Sequence, residues 1–227
     1  MKNSAEMPRF SPRTTSNGAG LNVFTTFVLT FHDDHDCLIS MATAKRIFLI
    51  HGWDGRPDNH WFPWLTLELR ANGFEVSAPQ MPHAREPKVK EWLEFLKQYV
   101  GRPDKDTYFV GHSLGCITIA RYLANLPPKT RIGGCVFVGG FSGRLNIPEI
   151  REFYELPFDG EQARAHCGKS VMIFSDNDSY VPMEKSLEMA RQLGAKTILE
   201  RGKGHFTATD GVTALPSVLS ALLKMSS

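Results

Sequence analysis

A chain of 227 residues, 42% of them hydrophobic, is the size of one domain and can bury a core without disulfides or a structural metal. With 26 basic against 24 acidic residues and a net charge of +2, composition gives no electrostatic ground for binding nucleic acid or an acidic membrane, so a small-molecule partner is the simpler expectation. The four cysteines, Cys37, Cys116, Cys135 and Cys167, form no Cys-x-x-Cys pair, and a reducing cytoplasm is the expected compartment.

In chain order, Lys2, Arg9 and Arg13 precede an apolar stretch from Leu21 to Phe31, and Ala42-Thr43-Ala44 imitates a cleavage site. Threonines and an asparagine dilute that stretch, the cluster His32-Asp33-Asp34-His35-Asp36 lies between it and the supposed cleavage site, and it is too short to span a bilayer. Neither an export signal nor a membrane span is expected. Met41 opens Met-Ala-Thr-Ala-Lys-Arg just before the first convincing strand, so residues 1 to 40 read as an extension or a mis-set start, and 41 to 227 as the domain. The acidic histidine cluster lies outside that domain and lacks the shaped scaffold a metal site needs, so no metal is expected.

From residue 45 short apolar runs alternate with segments of helical period, the pattern of an α/β fold with a mostly parallel sheet covered on both faces. Strands are predicted over Arg46 to Ile50, Phe74 to Ala78, Thr107 to Val110, Cys135 to Val138, Ser170 to Phe174 and Lys196 to Leu199. Val89, Trp92, Leu93, Leu96, Tyr99 and Val100 share one helical face, which predicts a helix lying on the sheet. After Ser113, apolar residues surround most of the helical circumference, which predicts a buried central helix. Later helices are predicted over Met183 to Leu193 and Leu215 to Leu223. Phe141 to Lys169, broken by glycines and prolines, reads as a helical excursion above the sheet that can form a pocket wall.

The chemistry centres on Gly111-His112-Ser113-Leu114-Gly115, entered by a β-type run and left by a helical one. A sharp strand-to-helix turn strains the serine backbone and exposes its hydroxyl, and glycines two residues away on each side relieve the crowding. The same turn aims the Leu114 N–H, at the positive end of the helix, at the place where negative charge develops in acyl transfer. A serine hydroxyl needs a base, and His205, in the loop Gly202-Lys203-Gly204-His205-Phe206 after the last strand, is the candidate. His112 is expected to point away, His83 sits in a proline-flanked loop, and His32, His35, His60 and His166 follow no late strand. The orienting acid is expected after the preceding strand, where Asp176 and Asp178 compete; its distance from the strand end favours Asp178, with a turn-forming role open to either. The order Ser113, Asp178, His205 is that of the α/β-hydrolases. His51-Gly52-Trp53, after the first strand, supplies the other oxyanion donor as the Trp53 N–H, with His51 fixing the loop at the edge of the pocket. Trp61, Phe62 and Trp64 either line an acyl pocket, as His51 does at its edge, or pack helix against sheet. No nucleotide or dinucleotide fingerprint occurs, so no cofactor is expected.

On four blocks the chain resembles the small α/β-hydrolases grouped with retinoblastoma-binding protein nine and the YdeN-type bacterial esterases, over nearly all of residues 45 to 225. The blocks are His51-Gly52-Trp53, Asn59-His60-Trp61-Phe62-Pro63-Trp64-Leu65, Gly111-His112-Ser113-Leu114-Gly115-Cys116, and Asp178-Ser179-Tyr180-Val181-Pro182 with Gly204-His205-Phe206. The resemblance implies a compact hydrolase without a large cap domain and with serine hydrolase activity. It places the acid four residues before Pro182, which is Asp178 and sets Asp176 aside. Retinoblastoma binding is not implied: the ligand pattern Leu-x-Cys-x-Glu fails, because Thr118 follows Leu114 and Cys116. Residues 1 to 40 have no counterpart in the family pattern. Hydrolysis of a small carboxylic ester is the leading expectation, and amide or thioester hydrolysis and acyl transfer use the same groups. An interaction protein with little turnover is the other class, which a complete set of three residues argues against.

Overall fold

The computed structural model describes residues 44–227. The expectations for residues 1 to 40, for Met41 as a start, and for the cluster His32 to Asp36 lie outside the described residues. Six strands, β1 (Arg46–Ile50), β2 (Glu75–Ser77), β3 (Thr107–His112), β4 (Ile132–Val138), β5 (Cys167–Phe174) and β6 (Lys196–Leu199), form one sheet in the order β2-β1-β3-β4-β5-β6. Every pairing is parallel. Helices α1 (Phe62–Ala71), α2 (Val89–Val100), α3 (Leu114–Ala124), α4 (Arg151–Glu155), α5 (Gly160–His166), α6 (Met183–Leu193) and α7 (Pro216–Ser226) connect and cover it.

Alternation along the strands divides the core into two layers. Phe48 and Ile50 of β1, Phe109 of β3 and Cys135 and Phe137 of β4 meet α2 to α6, whereas Ile47, Leu49, Tyr108, Val110, Val136 and Val138 meet α1 and α7. Period-two side chains on a sheet covered on both sides require this, and it explains why these strands read as unbroken apolar runs. The helix predicted around Trp92 forms as expected, with Val89, Trp92, Leu96 and Val100 buried. Tyr99 instead sits at the rim, stacked on Phe95 and edge-on to Phe48. Helix α3 is buried from Leu114 to Leu123, as its apolar circumference predicts. Its Arg121 is held by the carbonyls of Phe153, Leu156 and Pro157, which ties α3 to the excursion above the sheet.

That excursion contains α4, α5 and a short 3-10 turn at Pro148–Ile150, and no large cap. It ends earlier than predicted, because β5 begins at Cys167, where the exposed Gly168 and Lys169 hide the strand from an apolar pattern. Cys116, Cys135 and Cys167 are free thiols, and burial pushes those of Cys116 and Cys135 above the ordinary thiol range. The strand order reverses at β1 and β3, so the loops leaving their carboxyl ends diverge and open a crevice there. Among the described residues no helix is long and apolar enough to cross a membrane.

Candidate active site

Ser113 lies at the crevice, between β3 and α3, with φ 52° and ψ −117°. A side-chain-bearing residue holds that conformation only when its surroundings impose it. Here Ser113 N donates to Val138 O at 2.8 Å, anchoring the turn to β4. The flanking glycines are needed because neighbouring backbone fills the space a Cβ would occupy: one on Gly111 would stand 2.8 Å from Cys116 N, and one on Gly115 would collide with the Ile50 carbonyl. Leu114 opens α3, in the first turn, where N–H groups lack intrahelical partners. Gly52, after β1, approaches so closely that a Cβ there would lie 3.0 Å from the Ser113 Cβ, which brings the Trp53 loop against the serine.

His205 and Asp178 meet across 27 residues of sequence, with Nδ1 of the histidine 2.7 Å from Oδ2 of the aspartate and both side chains nearly inaccessible to solvent. The other carboxylate oxygen of Asp178 accepts from the N–H groups of Tyr180 and Val181, each at 2.9 Å, so the acid cannot rotate away. Asp176 faces elsewhere. It accepts from Gly202 N at 2.8 Å and pairs with the exposed Arg201, and chiefly the Gly202 bond holds its carboxyl below the usual range. Both aspartates therefore bind the histidine loop, one by its side chain and the other by its backbone.

Several residues that the sequence did not single out complete this arrangement. Asn177 Oδ1 accepts from Gly204 N, and Ser175 Oγ accepts from Lys203 N. Asp210 Oδ2 accepts from the N–H groups of His205 and Thr207 and caps the short 3-10 turn Ala208–Asp210. Burial opposes the Asp210 charge, but these hydrogen bonds outweigh it and its pKa is lowered. The Thr-x-x-Asp spacing of that cap is a signal a sequence reading can use. His112 is engaged beneath the site: Nε2 donates to the carbonyl of His205 at 2.8 Å. Complete burial, reinforced by the neighbouring His205, pushes the His112 pKa well down and keeps the ring neutral. His60, lowered first by burial and then by His205, accepts from Ala208 N through Nδ1.

A cavity of about 260 Å³ exposes Ser113 and His205, with Trp53, Phe62, Ile147, Ile150 and Tyr180 on its walls. Ile147 and Ile150 come from the excursion, which forms a wall as the sequence suggests. His51 also lines the cavity, and its ring fixes two loops: Nδ1 donates to Gly52 O at 2.8 Å while Nε2 accepts from Met81 N at 3.0 Å. Burial lowers its pKa, in keeping with that neutral tautomer. Trp61 and Trp64 are not on the cavity wall. Trp61 is wholly buried between Phe62 and His112, and Trp64 packs against the same core layer, so of the two roles open to this aromatic block the geometry gives packing. Phe62, the first residue of α1, is the member that reaches the cavity. The described residues hold no group of three or more His, Cys, Asp or Glu placed to bind a metal ion. A base whose far nitrogen is fixed by a carboxylate, sharing a cavity with a strained hydroxyl at a helix N-terminus, has the parts needed for nucleophilic acyl transfer.

The model of a family described as serine hydrolase matches residues 47–224. YdeN of Bacillus subtilis strain 168 is 34% identical over 180 residues, 79% of this chain and 95% of YdeN. The crystal structure of the ydeN gene product superposes with a TM-score of 0.78 at 33% identity, covering 80% of this chain and 98% of that one. A YdeN-like protein of Pectobacterium atrosepticum has a TM-score of 0.60 at 16% identity, with 80% and 90% of the two chains covered. A carboxylesterase structure from the thaumarchaeon Nitrososphaera gargenis has a TM-score of 0.63 at 15% identity, with 81% and 91% covered. The last two likenesses are of fold alone, the α/β-hydrolase fold.

Proposed function

The chain belongs to the serine hydrolase family, and from that premise we propose that it cleaves small carboxylic esters through an acyl-enzyme on Ser113. The observation that carries this reading is the 2.7 Å contact between His205 Nδ1 and Asp178 Oδ2, on a cavity that also exposes Ser113. Ser113 Oγ attacks the carbonyl carbon and its proton passes to His205 Nε2, while Asp178 holds the ring in the required tautomer and stabilises its charged form. The N–H groups of Trp53 and Leu114 receive the oxyanion. His205 protonates the departing alcohol. It then takes a proton from water, which attacks the acyl-enzyme and frees the acid.

The cavity volume of about 260 Å³ supports a compact acyl group, since one water occupies roughly 30 Å³ of liquid. A wider groove of about 840 Å³, which shares Asp54, Gly55, Arg56 and Asn59 with the cavity wall, carries Arg85, Lys88 and Glu91 and suits a polar alcohol portion. Labelling with a fluorophosphonate probe tests the nucleophile: the wild type reacts, and Ser113→Ala does not. A folded wild type that fails to label defeats the reading. On a panel of esters, amides and thioesters of graded acyl length, turnover favours short esters and falls about tenfold or more once the acyl chain outgrows the cavity.

A further inference from the structure

At the far edge of the sheet from Ser113, a recess of about 880 Å³ lies at the N-terminal ends of β5 and β6, bounded by α7 and the end of α6. Lys169 of β5 precedes Ser175, at the active-site end, by six residues, which is about 20 Å of strand, so the two cavities are separate. Five cations line the recess: Arg131, Arg164, Lys169, Lys196 and Lys224. No aspartate or glutamate lines it, and β5, β6 and α7 carry none along their whole lengths.

None of the five cations forms an ion pair with a described residue. Lys169 Nζ donates to Met225 O at 3.0 Å, which leaves two of its donors. Arg164 lies against Gly194, close enough that a Cβ there would come 2.7 Å from its Nε, which places its guanidinium at the recess. In a chain whose charges nearly balance, these five exposed cations put like charge on one recess, and a multivalent anion can meet several of them at once. Val171 and Ile198, which also line the recess, are partly buried apolar residues and give it a wall that a simple inorganic anion does not use. The volume is within the ordinary range for small-molecule sites.

We propose that this recess binds a phosphorylated small molecule of nucleotide size, with its phosphates among the five cations and its organic body against Val171 and Ile198. Phosphate chemistry fits because several cations can each meet a separate oxygen, and an arginine can do so through two donors. The inference is independent of the reaction at Ser113.

Isothermal titration of the full chain at about 0.15 M salt with ATP, tripolyphosphate and adenosine reads the site directly. Saturable binding of ATP at one site is expected, with tripolyphosphate weaker and adenosine weakest. Arg164→Ala is expected to weaken ATP about tenfold, the loss of one charge-assisted contact, and Arg164→Ala with Lys196→Glu to abolish it. An unchanged melting temperature of the unliganded variants assigns those losses to the site and not to folding. ATP at saturation should leave the rate of Ser113 labelling intact. Absence of saturable binding overturns the proposal, as does affinity unaltered by the double substitution, binding only to anionic lipid vesicles, or competition between ATP and the fluorophosphonate. If the serine proves unreactive, the affinities still decide the question.

Discussion

At the scale of single residues, the two aspartates after β5 separate by what they touch. Asp178 bonds the ring of His205 and Asp176 the backbone of Gly202. Asp178→Asn is therefore expected to lower kcat by about 10⁴-fold, because the amide no longer imposes the required tautomer. Asp176→Asn, at an exposed site, should change kcat less than tenfold, and steady-state ester hydrolysis by the two variants distinguishes them. Gly115 is constrained by packing: a Cβ would meet the Ile50 carbonyl, so Gly115→Ala is expected to destabilise the fold by about 4 kcal/mol or more, measured by urea denaturation. The motif alone locates the serine, but the reason for its last glycine lies in β1, a strand far away in the chain. His112 shows the converse. Its place next to the serine in the chain predicts only that its ring points away, and its role appears only where the last loop folds back over β3 and offers the carbonyl of His205.

At the scale of elements, the histidine loop from Gly202 to Phe206 has no regular structure of its own and is held by partners on each side. Ser175, Asp176 and Asn177 accept its backbone N–H groups from the β5 end, and Asp210 accepts from the helix side. Asp210→Ala removes the cap and the His205 N–H partner together. It is expected to cost about 1–2 kcal/mol of stability by thermal denaturation. It should also lower kcat by about 10–100-fold with KM little changed, because a displaced base is felt chiefly in the chemical step. If KM rises and kcat does not move, the clamp does not position the base. Of these contacts the sequence displays the loop and its glycines. The β5 side of the clasp is hidden because its bonds join residues 26 to 28 positions apart, and a run such as Ser175-Asp176-Asn177-Asp178 reads equally well as an ordinary turn.

For the whole molecule, three histidines packed around the crevice give stability a defined pH response. Burial lowers the pKa values of His51, His60 and His112 from 6.5, so below that value the unfolded chain binds more protons than the folded one. Stability therefore rises with pH through this window and is lost as pH falls below 6.5. The carboxylates Asp176 and Asp210 act separately: their pKa values are lowered from 3.8, so their contribution is lost only below that value. The melting temperature is expected to fall from about pH 7 to about pH 5, and His112→Gln to flatten the fall. A flat wild-type profile over that range would contradict neutral burial of these rings. The sequence by itself determined the α/β class, the presence of the six strands and the buried helix after Ser113, and it put Ser113, Asp178 and His205 forward in that order, because periodicity, motif spacing and chain order are properties of the linear chain. The tertiary structure decided that Trp61 and Trp64 pack while Phe62 reaches the cavity, that the two aspartates divide their roles, and that five cations from separate segments share one recess. Those outcomes depend on which distant segments meet at the edges of the sheet, and no local pattern records that.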